Sequence, residues 1–188
     1  RGNFVVNSNV HNNTAEGLNI SGPANLLYNN RVTANGTDNI RINVSSAANT
    51  LIKNFIKGSG ADGIESFSSA DIIVDNFLKN SAQNGMFLAS SYDILYNNRV
   101  KRSTLDGIDI VVAGENRLIS NTIKGNGNSG IALSSSNVAD ENIAKHNRIG
   151  IFMTIGSDNN AVRRNNLANN NGNNIINLGA NNVIDEDD

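Results

Sequence analysis

The chain has 188 residues, a formal net charge of −2 and 17% charged residues, so one domain is the default expectation. That balance argues against a nucleic-acid partner, which calls for a basic surface, and no apolar run reaches the ~18 residues of a membrane span. The absence of Cys excludes disulfides, Cys-ligated metals and a Cys nucleophile, while Asn alone supplies 38 residues.

From residue 3 onward the chain repeats a unit of the form N-x-L-x-x-N-x-I, a spacer, then G-I-x-I. The first marker falls at Asn3, Asn25, Asn49, Asp71, Asp93, Asn116, Asn137, Asn160 and Asn181. The second falls at Ser8, Asn30, Asn54, Asn76, Asn98, Asn121, Asn142 and Asn165. The Gly marker falls at Gly17, Asn39, Gly63, Gly85, Gly107, Gly130, Gly150 and Asn174. Three independent columns keep one period along nearly the whole chain.

The predicted elements follow in the same order in every unit. A first strand centres on Val5, Leu27, Leu51, Ile73, Leu95 and Leu118. A second centres on Val10, Val32, Ile56, Leu78, Val100, Ile123 and Leu167. A third opens at Leu18, Ile40, Ile64, Met86, Ile108, Ile131, Ile151 and Ile175. Apolar and polar residues alternate through these short runs, which is the strand period and not the helical one. Three short strands cannot close a core alone, but stacked units can. The expected fold is therefore all-β: a single-stranded parallel β-helix, a solenoid of about eight coils. At ~4.8 Å per coil it would be a rod roughly 40 Å long. The Asn and Gly columns are expected at corners that need left-handed backbone, with the Asn amides bonded into ladders.

These columns resemble the parallel β-helix repeat of the pectin-lyase-like superfamily. That group includes pectate lyases, polygalacturonases, alginate epimerases, phage tailspikes and periplasmic sugar-binding-type β-helix proteins. The resemblance spans about residues 3–184. It implies a right-handed coil, a secreted or cell-surface location and an acidic polysaccharide as partner. The repeat opens at Asn3 and breaks off near Ile184 without a cap helix, before the acidic run Asp185-Glu186-Asp187-Asp188. The expectation is one β-helix domain over 1–188, part of a longer chain, with ends able to self-associate.

Residues between the inward ones face solvent, and two outward columns carry chemistry. On the second strand one column reads His11, Thr33, Lys57, Lys79, Lys101, Lys124, Lys145. Its neighbour reads Asn9, Arg31, Phe55, Phe77, Arg99, Thr122, Ile143. Stacked like charges repel unless something offsets them, and Asp75 and Glu141 are the expected partners. The candidate substrate-binding residues are Lys57, Lys79, Lys101, Lys124, Lys145, Arg99, Phe55 and Phe77. Lys supplies charge, Arg99 can hold a carboxylate in bidentate fashion, and the Phe faces can carry sugar rings. The plainer alternative is a solvated stripe copied by duplication.

The third strand carries the other column: Asn19, Arg41, Glu65, Phe87, Asp109, Ala132, Phe152, Ile176. With Asp62 and Asp106 before the Gly marker, it forms the acidic pairs Asp62/Glu65 and Asp106/Asp109 two coils apart. That is roughly 10 Å, at or just beyond the ~6.5–9.5 Å between the carboxyls of an inverting glycosidase. Glu65, Asp106 and Asp109 are thus the candidate catalytic residues. The string DGIDI at Asp106–Ile110 is similar to a stretch around one polygalacturonase Asp. The next coil reads NSGIAL, with Ser129 where that pattern wants a carboxylate. His11 and His146 lie outside any Gly-His-Gly, and the Asp-Pro-His cluster of alginate epimerases is absent.

No cofactor and no metal site is expected, although clustered carboxylates are the ligands Ca²⁺ takes. Tyr28 and Tyr96 share a column, with Tyr92 nearby, and partly buried packing is expected of them. KGNGNSG at Lys124–Gly130 lacks phosphate-loop spacing and reads as a wide corner. Three functions remain in view: a module binding acidic polysaccharide, a lyase, hydrolase or epimerase acting on one, and a non-catalytic rod such as an adhesin shaft or tailspike-like segment. A lyase would need a base and a cation, roles that Arg99 and Lys101 on one coil can fill.

Overall fold

The computed structural model describes residues 2–112 and 114–185. The described residues contain no helix. Their strands stack into three parallel sheets of 9, 7 and 8 strands, each strand paired with the equivalent strand of the coils before and after it. The first sheet runs from Phe4–Val6 to Val183–Asp185. The second runs from Asn9–His11 to Ile143–Lys145, and the third from Leu18–Ile20 to Ile175–Asn177. The product is a β-solenoid of about eight turns.

Alternation places every second side chain inside. Leu51, Ile73 and Leu95 of the first sheet, Ile56, Leu78 and Val100 of the second, and Ile64, Met86 and Ile108 of the third are wholly buried. They form one continuous core along the axis. One coil is thinner, with Ala139 and Ala144 in place of branched residues.

The corners revise the expected role of Asn. Left-handed backbone does occur at all three corners, but one residue before the Asn columns. One corner column is Asn7, Asn29, Lys53, Asp75, Asn97, Ser120, Glu141 and Arg164, all at positive φ. Their side chains point outward, so residue type is free to vary. The ladder Asn follows with its amide turned in. The Asn98 amide nitrogen donates to the Ile73 carbonyl at 2.8 Å and to Asn121 Oδ1 at 3.0 Å. Its oxygen accepts from the Asn76 backbone and side chain at 3.0 and 3.1 Å. The ladders thus satisfy corner groups that a bend in a strand would leave unpaired.

The last rung of the first ladder is Asn182, whose oxygen accepts from Asn160 N at 2.7 Å, and not Asn181, which occupies the left-handed corner. A third ladder escaped the sequence reading. It runs through Asn13 and Asn35, and again through Ser103, Asn126, Asn147 and Asn170. Ser59, Ser81 and Ser103 at this level break the Asn pattern and hid it.

The repeated Gly has a different cause from the expected one. Gly107 is not left-handed; a Cβ there would lie 2.1 Å from Ile123 Cγ2 and 2.6 Å from the Gly130 carbonyl oxygen. The column is Gly because adjacent coils touch there. Asp185, expected to open the acidic run, ends the last strand of the first sheet. Glu186, Asp187 and Asp188 lie outside the described residues.

Candidate functional site

The second sheet brings the predicted basic column together in register. Lys57 pairs with Lys79, Lys79 with Lys101, Lys101 with Lys124, and Lys124 with Lys145. The neighbouring column is equally aligned, Arg31 with Phe55, Phe55 with Phe77, and Phe77 with Arg99. Strand pleating turns both columns outward, because Ile56, Leu78 and Val100 between them point into the core.

The Phe rings and the cations form one surface. Phe55 and Phe77 sit 5.6 Å apart at 46°. Arg31 lies 4.6 Å from the Phe55 centroid, and Lys79 lies 5.6 Å from each ring. Lys101 lies 5.9 Å from Phe77. These contacts hold long side chains near the rings and offset some of the repulsion between rungs. The expected acidic partners do something else. Glu141 lies 3.2 Å from Arg164, and Asp75 accepts from the Asn97 amide at 2.7 Å. Among the described residues the ion pairs belong to Arg41 and Arg164, and none reaches the lysine column or Arg99.

The corner beside this face holds a depression of about 350 Å³, lined by Asp75, Asn76, Phe77, Asn97 and Arg99. Asp75 and Asn97 were not candidate ligand residues in the sequence. Their signal was available: both occupy the position just before the second Asn marker, so they lie next to the Phe77 and Arg99 column.

The third sheet places Arg41, Glu65, Phe87, Asp109, Ala132 and Phe152 in one outward line. Phe87 therefore stands between Glu65 and Asp109. Arg41 binds Glu65 directly and lies 3.4 Å from Asp38. Burial and the adjacent Asp38 nevertheless push Glu65 up to about 7, outweighing one guanidinium. Asp62 and Asp106 are rungs of a further ladder, Asp38, Asp62, Asn84 and Asp106. Asp62 accepts the Asn84 backbone N–H at 2.7 Å, and Asp106 accepts that of Ser129 at 2.6 Å. Burial raises Asp62 to about 6. Burial, with Asp106 and Asp62 nearby, raises Asp109 to about 6. Asp109 also edges a depression of about 210 Å³ that continues over Ala132 to Phe152.

The remaining candidates lie apart. His146 is an exposed left-handed corner residue. Tyr28 and Tyr96 are 36% and 46% exposed on the outer face of the first sheet, with Ile72 and Ile94 beside them. Tyr92 is 61% exposed, at the left-handed corner that precedes this sheet. The described residues contain no cluster of three or more His, Asp or Glu arranged to hold a metal ion. No helix of the structure is long and apolar enough to cross a membrane.

The sequence matches the family model described as "Right handed beta helix region" over residues 1–131 and again over 40–187. The chain belongs to the right-handed β-helix family. The likeness to the pectin-lyase-like repeat is thereby confirmed, and the hand of the coil is settled. Comparison with curated proteins finds no match. Among solved structures, the chain is similar to the periplasmic alginate epimerase AlgG, at TM-score 0.84 and 17% identity, over 97% of this chain and 50% of that one. It is similar to the A-module of the Azotobacter vinelandii mannuronan C-5 epimerase AlgE4, at TM-score 0.84 and 18% identity, over 98% and 58%. The Dettilon tailspike protein gp208 matches at TM-score 0.73 and 16% identity, over 92% and 47%. The chain thus spans about half the length of the solved structures it resembles. At these identities the likeness is one of fold.

Proposed function

We propose that this β-helix binds an extracellular acidic polysaccharide along the outer face of its second sheet. The observation that carries the reading is the line of Lys57, Lys79, Lys101, Lys124 and Lys145, in register and without an ion-pair partner among the described residues. One cation per rung, ~4.8 Å apart, suits a chain carrying one carboxylate per sugar. Phe55 and Phe77 offer ring faces to the sugars, and Arg99 a planar fork to a carboxylate. AlgG is an alginate epimerase and AlgE4 a mannuronan C-5 epimerase, and alginate and mannuronan are both acidic glycans. A periplasmic neighbour and a phage tailspike support a location outside the cytoplasm.

Each of Lys79→Ala and Lys101→Ala is expected to weaken binding to a soluble polyuronate roughly threefold to tenfold at low salt, as loss of a partly exposed charge contact implies. Titration calorimetry of the folded variants measures this. Affinities equal to that of the unaltered protein would make the stripe a solvated face.

A second reading is favoured by the third sheet. Asp109 is a carboxyl raised to about 6 at the edge of a depression, the condition of a general acid. Glu65, two rungs away, and the adjoining Asp106 are its possible partners. If this face cleaves or epimerises the bound glycan, Asp109→Asn abolishes turnover and leaves binding intact. Undiminished turnover in that variant would remove Asp109 from the chemistry.

A further inference from the structure

The second sheet is bounded by two unlike edges. Around one coil, the chain passes from the corner column through the Phe and Arg column to the Lys column. The corner column at this level reads Lys53, Asp75, Asn97, Ser120. The Lys column opposite is cationic at every rung from Lys57 to Lys145. Between them lies the aromatic floor of Phe55 and Phe77, followed by Arg99.

A pyranose ring linked through C1 and C4 is also two-edged. A uronate carries its carboxylate on C5, at one lateral edge, and its 2- and 3-hydroxyls at the other. A ring lying on Phe77 with its carboxylate toward Lys79 and Lys101 therefore turns its diol toward the Asp75 and Asn97 corner. That corner is a depression of about 350 Å³, large enough for a sugar edge. Asp75 accepts one bond from Asn97 Nδ2 at 2.7 Å and keeps a second oxygen. The Asn97 amide oxygen is a further acceptor. Neutral hydroxyls donate well to such oxygens, and a charge-assisted bond is worth more than a neutral one. A carboxylate beside a plain polyanion site would instead oppose binding.

We infer that the depression lined by Asp75, Asn97, Phe77 and Arg99 is a sugar subsite that accepts the ring diol of a bound uronosyl unit, opposite the charged edge. The inference rests on the reading that the second sheet binds an acidic glycan, and it adds a positioning role for Asp75 and Asn97.

Asp75→Asn tests it, because charge and hydroxyl recognition predict opposite signs. The fold tolerates the change: the same corner column already carries Asn7 and Asn29, bonded amide to amide at 2.8 Å. The probes are polymannuronate, the same polymer acetylated on its 2- and 3-hydroxyls, and dextran sulfate, each titrated at one ionic strength. For the unaltered protein, acetylation weakens binding. Asp75→Asn weakens polymannuronate binding roughly tenfold, the order expected for losing a charged acceptor. Acetylation then costs the variant nothing further, and its affinity for dextran sulfate is equal or higher. If Asp75→Asn binds polymannuronate as tightly as the unaltered protein, or more tightly, Asp75 is only a neighbouring charge and the subsite is overturned. If the unaltered protein binds none of the three polymers, the acidic-glycan reading itself has failed, and the subsite with it.

Discussion

Asn98→Ala destabilises the protein by roughly 3–6 kcal/mol, as the loss of several buried bonds at once implies. Asn98 is wholly buried. Its amide donates to Ile73 O and Asn121 Oδ1 and accepts from both the backbone and side chain of Asn76. Ala leaves the buried Asn76 N–H without its acceptor and removes the amide donor from the Ile73 carbonyl and from Asn121 Oδ1. A buried orphan of this kind costs about 1–3 kcal/mol, and each lost bond adds to it. Because every coil rests on its neighbours, the loss is felt by more than one coil. The exposed Asn9→Thr, on an outer strand position, serves as the control and stays within about 0.5 kcal/mol. Denaturant unfolding of both variants measures the difference. Equal midpoints would mean that the Asn columns are decoration and not the frame of the fold.

The second large effect is a stability that falls as pH rises. The first ladder changes from Asn to Asp at two successive rungs, Asp71 and Asp93, both wholly buried. Asp71 accepts from Asn49 and from Ser66 and Ser68, and Asp93 accepts from the Asp71 backbone at 2.8 Å and from Ser90 at 2.5 Å. A carboxylate has no N–H to pass to the next rung, so the ladder lacks two of its side-chain donors. Burial raises both groups against these bonds, and Asp93 reaches about 7. The folded protein therefore holds protons that the unfolded chain releases near the ordinary carboxylate value of about 4. Stability is fully present below that value and is lost as pH rises through about 7. Glu65, Asp62 and Asp109 act in the same direction. Asp140, held low chiefly by its bonds to Arg164, acts the other way. The melting temperature at pH 5 should exceed that at pH 8. Asp93→Asn restores the missing amide and should raise stability at pH 8 by up to roughly 4 kcal/mol, with little gain at pH 4. A variant no more stable than the parent at pH 8 would show that Asp93 is already ionised at no cost.

The two effects explain which parts of the fold were legible. Strand positions and register were, because alternation fixes which face each residue takes and the period fixes its neighbour. Lys79 could be placed beside Lys57 and Lys101 by counting alone. The reason for each marker was less accessible. Asn and Gly are both residues of left-handed corners, and some corners do carry them, yet others fall on Lys53, Tyr92 and Glu115, which carry no such signature. The backbone bends where the side chain is free, and the amide that follows secures the bend. Gly107 is set by a contact from another coil, which no local pattern reveals. The candidate site was half visible for the same reason. Lys and Phe columns repeat and were found. Asp75 and Asn97 differ from each other and matter only through the depression they share.

The most direct test of the acidic-glycan reading is the affinity of the protein for polymannuronate measured across a salt series, beside the Lys79→Ala and Lys101→Ala double variant. Log affinity is expected to fall steadily with log salt, and the double variant to bind more weakly with a shallower slope, since fewer cations are neutralised. Binding whose slope is the same in both proteins, or no binding at low salt, would contradict a polysaccharide site on the second sheet.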